Sequence, residues 1–340
     1  MIDCGSQCIL CDLPIRYDTY KGCAHACKYC FVMRKVSIDK IQGDNTINSL
    51  KNFIEGKRTL PTSWCDWDIP LHIGGMSDPL QPLEKKLRIT YKSLQLLRDA
   101  KYPFVISTKG RLLGDDEYID LLSKCNCVVQ VSAVCSKYDV MEKGAPTFEE
   151  RMQIVKKIAP KVQRVIIRVQ PYLHEVFHDV MKNIPLWAEI GVYGFVVEGI
   201  KMVKKKKGFV KVGADWVLPY DVIASDFLKL KEEAHNHGLK IYAGEKRIRA
   251  MGDGYACCGT DGLAGFKPNP YNICHMVNGD MVEPTEAMTK PRSGYCFTTL
   301  VQDTVRDRYW REKSFADAMK EWYQLNKGKM DVVFGKDKRR

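Results

Sequence analysis

Strand-like and helical segments alternate along most of this chain, and that alternation restricts its possible folds more than any other feature of the sequence. Short runs rich in apolar and β-branched residues lie at 15–20, 71–76, 104–109, 128–134, 165–172, 192–202 and 240–243. Helical patterns lie between or after them at 45–54, 82–98, 115–123, 147 onward, 176–190 and 223–234. Strands that alternate with helices at this spacing predict right-handed crossovers and a parallel sheet. The sequence therefore predicts an α/β fold, a partial or complete TIM-type (β/α) barrel.

The chain is long enough for one large domain with small appendages. It has 340 residues, of which 45% are hydrophobic, and this content allows a sizeable core. We assign residues 1–14 to a cysteine-rich N-terminal segment, 15–245 to the barrel and 246–340 to a C-terminal segment with further cysteines. A closing helix is expected in the last segment, with a packing stripe formed by Trp310, Phe315, Met319, Trp322 and Leu325.

Cysteine content and apolar patterning indicate the compartment. No apolar run reaches the length of about 18 residues that a membrane-spanning helix needs, so no membrane partner is expected. The N-terminus shows no basic region followed by an apolar stretch, and a secretory signal is therefore not expected. The sequence has 14 cysteines, several at ligand-like spacings, which favours metal binding in a reducing cytoplasm over disulfides.

Three cysteines on one short segment predict an iron–sulfur site. Cys23, Cys27 and Cys30 have the spacing C-x3-C-x2-C directly after the first predicted strand. Three thiolates on one tight loop can each bind one iron of a four-iron cluster, and the loop offers no fourth ligand. A structural zinc ion would need a fourth ligand at a matching spacing, which His25 could supply only with strain. We therefore predict a 4Fe-4S cluster with one iron open to a substrate.

The cysteine loop, with Tyr29 before its last cysteine and Phe31 after it, resembles the signature of the radical S-adenosylmethionine (radical SAM) superfamily. The resemblance implies that the open iron binds the amino and carboxylate groups of SAM, with Tyr29 among the cofactor-binding residues. It also implies that an electron from the cluster cleaves SAM to a 5′-deoxyadenosyl radical, which abstracts hydrogen from the substrate. A low-potential electron donor such as flavodoxin or ferredoxin is then an expected partner.

The ends of the later strands supply further candidate residues, because working residues lie at the C-terminal ends of strands in such barrels. Gly74 and Gly75 match the glycines of the superfamily's Gly-Gly-Glu-like motif, which binds the amino group of SAM. Met76 replaces the acid, so Ser77 and Asp78 are its candidate substitutes. The remaining candidates are polar residues at or near strand ends, namely Lys109 for the SAM carboxylate, Ser132 for the ribose, and Arg168, Gln170 and Glu198. A satisfied structural network is the alternative for each, because polar groups are costly to bury without partners.

A longer set of segments is similar to the spore photoproduct lyase branch of radical SAM proteins. These segments are 75–84, Thr108 with Lys109, and 168–171, and the similarity covers roughly 15–202. One departure matters, because Gly75 stands where photoproduct lyases hold a hydrogen-donating cysteine. The resemblance therefore implies a different hydrogen donor, and the catalytic candidates are Cys135, Cys257 and a tyrosine.

A second group of cysteines predicts another metal site. The segment before the first strand repeats the C-x3-C-x2-C spacing with Cys4, Cys8 and Cys11, but without the aromatic residue. The segment after the last strand offers Cys257, Cys258 or Cys274 as further ligands, and only one of the two adjacent cysteines can easily bind the same ion. A barrel brings these two segments together, so we predict a second 4Fe-4S or zinc site that closes it. The other cysteines are interpreted as ordinary buried thiols, namely Cys65, Cys125, Cys127 and Cys296.

The charge distribution is compatible with an anionic partner. The formal net charge is +12, and a basic protein attracts phosphates. The segment 201–211 holds six lysines and no acid, with Gly208 as the predicted tip of a hairpin. Such a hairpin could grip phosphates, or its lysines could simply protect an edge strand.

The function predicted from these features is that of a radical SAM enzyme whose reaction is that of a lyase. The resemblance and the charge favour a modified nucleobase such as queuine, on which the radical SAM queuine lyases that look like this branch act, or a base in nucleic acid. One alternative is a radical SAM maturase that modifies a peptide or protein with an auxiliary cluster. The other is a basic nucleic-acid-binding protein in which the cluster is structural.

Overall fold

This computed structural model describes residues 2–4, 11–34, 40–44, 46–59, 62–213, 215–267, 269, 272, 283–290 and 314–326. The strands are β1 (Ile2–Cys4), β2 (Ile15–Tyr17), β3 (Tyr20–Lys21), β4 (Gln42–Gly43), β5 (Leu71–Ile73), β6 (Phe104–Thr108), β7 (Cys127–Ser132), β8 (Arg164–Tyr172), β9 (Gly194–Gly199), β10 (Val210–Val212), β11 (Asp215–Val217) and β12 (Lys240–Ala243). The main helices are α1 (Ile47–Ile54), α2 (Glu84–Leu87), α3 (Ile89–Asp99), α4 (Asp116–Ser123), α5 (Phe148–Ile158), α6 (Phe177–Glu189) and α7 (Tyr220–Asn236).

One eight-stranded sheet forms the centre of the fold, in the order β1-β2-β5-β6-β7-β8-β9-β12. Every pairing from β2 to β12 is parallel, whereas β1 is antiparallel to β2. The predicted α/β fold with seven parallel strands is therefore confirmed. Within the described residues β1 and β12 are both edge strands, so the barrel is partial. The first cysteine-rich segment contributes β1 to this sheet, and the predicted domain boundaries stay a prediction.

The two faces of the sheet carry different side chains. Alternate strand residues such as Ile106, Val129 and Ile167 face the helices and belong to the large outer core. The intervening residues face the inside of the partial barrel, where a smaller apolar cluster includes Val128 and Ile166. Since side chains alternate along a strand, every second residue towards the strand ends also faces inward. The inner face is therefore where a substrate can meet the sheet.

A buried carboxylate divides the helix predicted at 82–98 into two. The Glu84 side chain accepts the backbone N–H groups of Thr90 and Tyr91 at 2.9 and 2.8 Å, and so it caps the first turn of α3. Arg88, between α2 and α3, has a left-handed φ of 53°. The capping bonds satisfy N–H groups that a helix start leaves unpaired, which explains why the break is stable.

The predicted lysine hairpin is displaced along the chain. The hairpin pairs β10 with β11, and Val212 lies opposite Asp215. Gly208 has a φ of 82° but lies in the turn that precedes β10, so its assignment to the hairpin tip was wrong. The lysines at 204–207 are exposed and lead into the hairpin instead of forming it.

The end of the chain is described only in part. A helix spans Phe315–Asn326, which agrees with the closing helix expected there, while Trp310 lies outside the described residues. In the part of the chain that the structure describes, no helix is long and apolar enough to cross a membrane.

Candidate functional site

The cysteine loop follows β2 and is shaped by two tight turns. The Ala26 N–H donates to the Cys23 carbonyl at 3.3 Å, and the Cys30 N–H donates to the Cys27 carbonyl at 3.0 Å. Ala26 has a left-handed φ of 45°, a conformation that non-glycine residues adopt mainly in turns. Two consecutive turns keep the three cysteines on one compact loop.

Gln81 binds the start of this loop to the segment after β5. Its Oε1 accepts the N–H of Ala24 at 2.9 Å, and its Nε2 donates to the carbonyl of Gly22 at 3.2 Å. Gln81 is fully buried. Because a buried amide with both ends paired has a defined orientation, Gln81 fixes where the loop leaves the strand.

His25 and Asp78 hold the middle of the loop. One ring nitrogen of His25, Nδ1, lies 2.9 Å from the carbonyl of Gly144, and the other, Nε2, lies 3.2 Å from Asp78 Oδ2. Burial acts to lower the pKa of His25, but the negative charge of Asp78 outweighs it and the pKa is raised. Since both ring nitrogens have protein partners, His25 acts as an anchor and not as a metal ligand.

Asp78 joins the loop to the ends of two strands. Its Oδ1 accepts the Thr108 hydroxyl at 2.7 Å, and its Oδ2 accepts the Lys109 N–H at 2.6 Å. Burial would raise the pKa of this carboxyl, but His25 lowers it below its ordinary value. The sequence resemblance makes Asp78 a candidate substitute for the acid that binds the amino group of SAM. The structure instead places both of its oxygens in contacts within the protein.

A second buried charge cluster lies on the other side of the loop. The Tyr29 hydroxyl donates to Glu142, and Arg151 Nη2 lies 2.5 Å from the same carboxylate. Lys109 Nζ lies 3.8 Å from Glu142 and 5.8 Å from the centre of the Tyr29 ring. The Lys28 N–H donates to Met141 at 3.0 Å. Tyr29 and Lys109 therefore lie beside the cysteines and help to position the loop.

The chemistry of the three thiols fits a cluster better than a single metal ion. Burial raises the pKa of Cys23 to about 12 and also raises that of Cys27, and neighbouring thiol charges add to both effects. A bound cation would stabilise such thiolates. Among the described residues, no three Cys, His, Asp or Glu side chains surround one metal-ion position. In a four-iron cluster each cysteine binds a different iron, so the sulfurs need not converge on one point.

The paired glycines after β5 differ in their surroundings. Gly74 has a φ of 88°, and a Cβ added there would lie 2.4 Å from the carbonyl oxygen of Ser107. A Cβ added at Gly75 would meet only ordinary contacts, the nearest being Arg16 at 3.5 Å. Gly74 is therefore required by the backbone, whereas Gly75 leaves space beside the site.

Replacing Gly74 by alanine will destabilise the protein by about 1–3 kcal/mol, since a left-handed backbone and a carbonyl oxygen both oppose the new methyl group. The matched control is Gly75→Ala, for which we expect a change within about 0.5 kcal/mol. Urea unfolding of both variants measures the difference. Equal losses of stability would show that this description of the turn is wrong.

Ser77 and Asp18 lie beneath these glycines. The Ser77 hydroxyl donates to the Tyr20 carbonyl at 2.8 Å, so it is occupied within the scaffold and does not point to a ligand. Asp18 Oδ1 accepts the N–H groups of Met76 and Ser77 at 2.8 and 3.2 Å. Burial raises the pKa of Asp18. The Asp18 carboxylate therefore lies next to Met76 and holds the backbone of this turn.

The inner face of the sheet carries two rows of polar groups. In the first row, His72 Nε2 lies 2.7 Å from the Ser107 hydroxyl, which donates to Gln130 at 2.8 Å. Burial lowers the pKa of His72 to about 3, so this imidazole is neutral. Ser132 is half-buried at the end of β7, while its carbonyl accepts Arg151 Nη1 at 2.8 Å.

The second row crosses from β8 to β9. Arg168 donates to Gln170 Oε1, and Gln170 Nε2 donates to Glu198 at 2.6 Å. Lys201 Nζ lies 2.7 Å from the other oxygen of Glu198. All four side chains are half-buried, so they line the inside of the barrel without being sealed from it.

The segment 255–267 fills the inside of the barrel at the N-terminal ends of the strands. Cys258 and Phe266 pack there with Leu13 against inward residues of the strands, and Cys11 and Cys257 lie at the edge of the same cluster. Arg164 Nη1 anchors the segment through the carbonyl of Gly259 at 2.8 Å. Of the cysteines predicted to form a second metal site, the structure therefore brings together Cys11, Cys257 and Cys258.

The other cysteines of that predicted site lie wholly or partly outside the described residues. Cys8 and Cys274 lie outside the described residues, and Cys4 is described only as part of β1. A hydrogen bond from Cys258 lowers the pKa of Cys257 to about 6, with Arg249 and Arg168 acting in the same direction. Burial raises the pKa of Cys11. The second metal site stays a prediction.

The two candidate hydrogen donors have different surroundings. Cys135 is buried in the outer core between the sheet and the helices. Cys257 lies at the inner apolar cluster, and its carbonyl is 3.5 Å from Gln130 Nε2 of the polar row. Because Cys257 lies on the inner face of the sheet, it is the better candidate for the hydrogen donor than Cys135.

Several residues of the site were not singled out from the sequence. These are Asp18, Gln81, Gln130, Glu142 and Arg151, together with His72. A simple sequence pattern could have identified His72 and Gln130, because each is a polar residue flanked by apolar residues in a predicted strand. The others lie in loops or on a helix, where only the three-dimensional contacts distinguish them from surface residues.

Solved structures share this fold. A mutant of spore photoproduct lyase with dinucleoside spore photoproduct has a TM-score of 0.54 and 13% identity, over 68% of this chain and 77% of its own. A double mutant of that lyase with bound AdoMet and the same dinucleoside has a TM-score of 0.50 and 15% identity, over 68% and 76%. SuiB of Streptococcus suis bound to the precursor peptide SuiA has a TM-score of 0.48 and 13% identity, over 68% and 49%.

Comparisons at the level of sequence give no match. No protein-family model matches the chain, and no curated protein is significantly similar to it. The structural likeness to the lyase nevertheless covers 68% of this chain. This likeness confirms the fold that was expected from the sequence resemblance over residues 15–202. The chain has the fold of spore photoproduct lyase, a radical SAM fold.

Proposed function

We propose that this protein is a radical SAM enzyme that acts as a lyase on a modified nucleobase, either free, as queuine is, or within a nucleic acid. Cys23, Cys27 and Cys30 would hold a 4Fe-4S cluster. When bound together with SAM, that cluster supplies the one-electron cleavage that yields a 5′-deoxyadenosyl radical. The protein's own residues position the loop, bind SAM and enclose the substrate.

The observation that carries the proposal is the anchoring of the cysteine loop. His25 and Asp78 hold one side of it, and Tyr29 and Glu142 hold the other. The loop is fixed at the C-terminal ends of parallel strands, where working residues lie in such barrels. Because it offers three thiols and no other ligand, one iron of a bound cluster stays open to a substrate. The shared fold with a lyase that binds a dinucleoside photoproduct supports a base as the substrate.

The substrate class is tested by measuring 5′-deoxyadenosine. Anaerobically reconstituted protein with SAM and dithionite is challenged separately with a pool of free modified bases, including queuine, and with intact nucleic acid. Stimulation above the substrate-free rate by the free bases supports a salvage-type lyase, and stimulation by the polymer alone supports a base in nucleic acid. No stimulation by either would contradict the proposed substrate.

We expect Cys257 to be the hydrogen donor that quenches the substrate radical. The S–H bond of the protonated form of this thiol would break as the new C–H bond forms. The low-potential electron donor, with a proton from water, would restore the protonated thiol. The variant Cys257→Ala should still form 5′-deoxyadenosine but lose at least about tenfold in final product, a loss typical of removing a proton- or hydrogen-transferring group. Cys135→Ala is the matched control and should retain the product yield.

The second metal site is proposed at the junction of the N- and C-terminal cysteine segments. Its support is that Cys258 lies in one apolar cluster and Cys11 packs against the same cluster. Metal analysis of the variant with Cys23, Cys27 and Cys30 all replaced by alanine tests it, because only the second site can then hold metal. Iron or zinc retained by this variant is the expected result, and the absence of both would refute the second site.

The maturase alternative would gain from that same second cluster, and a precursor peptide is the ligand of SuiB in the structure described above. The alternative of a basic binding protein would gain from the exposed lysines at 204–207. Lys206 Nζ lies 5.0 Å from the centre of the Phe209 ring and 3.5 Å from Glu175, so part of this segment is held against the protein surface. Binding of nucleic acid without any cleavage of SAM would favour that alternative.

A further inference from the structure

The second polar row on the inner face has more positive than negative charge. It contains Arg168, Lys201 and the carboxylate of Glu198, and it continues past the end of β12 to Lys246. The charges of Lys201 and Arg247 lie close enough to Lys246 to lower its pKa, although burial of its side chain is the larger cause. With Arg247 the row has four cations, and three carboxylates lie close enough to act on its lysines, those of Glu198, Glu245 and Asp215.

The nearby charges do not neutralise this surplus. Glu245 is buried, and its carboxylate accepts Arg247 Nε in an ion pair. Glu198 is already shared between Gln170 and Lys201. Asp215 is the third carboxylate, and its charge acts on Lys201. Among the described residues, Arg168 and Lys246 have no ion-pair partner.

Arg168 has N–H donors that no described residue accepts. Within the described part of the chain, its side chain donates only to the amide oxygen of Gln170, and it has no salt bridge. A guanidinium has five N–H donors arranged to bind oxyanions in pairs. The side chain is half-buried on the inner face, so it lines the inside of the barrel, where the proposed function places the substrate.

Lys246 is the second such cation. Among the described residues, its ammonium group has no hydrogen-bond or salt-bridge partner, although the side chain is half-buried. Holding a partly buried ammonium next to Lys201 and Arg247 costs free energy unless an anion compensates. A bound oxyanion would provide that compensation. Gly244, two residues before Lys246, lies beside Glu198, because a Cβ added to this glycine would be 3.1 Å from Glu198 Oε2.

We propose that the barrel binds a phosphate group of the substrate at the inner face, between Arg168 and Lys246 and beside Lys201. This inference rests on the proposed function, which places the substrate inside the barrel, and it narrows the substrate class. The substrate is then a nucleotide or a strand and not an uncharged free base. Arg168, by this account, contacts the substrate and not the carboxylate of SAM.

Equilibrium binding tests the proposal without depending on radical chemistry. Guanosine, guanosine 5′-monophosphate and a short single-stranded oligonucleotide are titrated by calorimetry into anaerobically reconstituted protein saturated with SAM, so that the carboxylate of SAM cannot account for the result. We expect the monophosphate to bind at least about tenfold more tightly than guanosine, which is the gain typical of charge-assisted hydrogen bonds. Stronger binding of the oligonucleotide than of the monophosphate identifies a strand phosphate as the ligand.

Matched variants locate the site. Lys246→Ala and Arg168→Gln should each remove most of the preference for the monophosphate, and Lys246→Arg should retain it. Lys240→Ala removes one exposed lysine near the same edge of the sheet, so it changes the net charge by the same amount and should have no more than about a twofold effect. Equal binding of guanosine and its monophosphate to the wild-type protein would overturn the proposal, and so would an equal loss in Lys240→Ala and Lys246→Ala.

The two proposals fail in different ways. A phosphate preference that depends on Lys246, in protein that does not cleave SAM, would support the phosphate site and contradict the proposed enzyme. Cleavage of SAM without any phosphate preference would support the proposed enzyme and contradict the phosphate site.

Discussion

Replacing Cys23, Cys27 and Cys30 together by alanine will remove the iron of the catalytic cluster and abolish the formation of 5′-deoxyadenosine. The loop offers no other ligand, because both ring nitrogens of His25 are held by Gly144 and Asp78. Iron analysis, absorption spectra and chromatographic detection of deoxyadenosine measure the effect. If the predicted second site holds a cluster, the iron that remains will belong to it, but deoxyadenosine will still be absent.

Cys65→Ala is the control for this variant. Cys65 is fully buried in the outer core, where its loss costs packing and leaves the loop unchanged. We expect its iron content and deoxyadenosine formation to match those of the wild type. Deoxyadenosine formation by the triple variant at the wild-type rate would contradict the assignment of the cluster ligands.

Replacing Asp78 by alanine will have the largest effect on stability among the single changes considered. Its carboxylate pairs with His25 and accepts Thr108 and the Lys109 N–H, and its removal leaves these buried donors without their partner. Removing one member of a buried charge pair costs about 3–5 kcal/mol. Because Asp78 holds the middle of the cysteine loop, we also expect the reconstituted iron content to fall.

Two control variants distinguish the loss of the Asp78 charge from a general loss of stability. Asp78→Asn keeps the shape and one acceptor oxygen, so it should lose less stability than the alanine variant. Glu117→Ala breaks an exposed ion pair with Arg88, 2.8 Å long, and should cost no more than about 1 kcal/mol. Urea unfolding measures all three. A loss for Asp78→Ala no larger than that of Glu117→Ala would show that Asp78 does not anchor the loop.

The sequence was sufficient to predict the strands and the cysteine loop, because both depend on local patterns. Each predicted strand of the barrel overlaps an observed one, because a strand that is buried on both faces needs a run of apolar residues. Polar residues within those runs, such as Arg168 and Glu198, could be identified because they interrupt the apolar pattern. Their arrangement into a row depends on strand register, which the sequence does not show directly.

The contacts that anchor the loop could not be predicted in the same way. Asp78 was assigned to the cofactor by its position in a motif, whereas the structure shows that His25, distant in sequence, determines its role. Glu142 and Arg151 belong to a turn and a helix that meet the loop only after folding. The division of the helix at Arg88 likewise depends on the contacts of one buried carboxylate, that of Glu84.

Formation of 5′-deoxyadenosine tests the central claim most directly. Wild-type protein, reconstituted anaerobically to at least one four-iron cluster, is incubated with SAM and dithionite beside the variant that lacks Cys23, Cys27 and Cys30. The account predicts deoxyadenosine and methionine in equal amounts from the wild type and neither product from the variant. Wild-type protein that keeps its cluster intact and forms no deoxyadenosine, with or without nucleobase or nucleic acid, would contradict it.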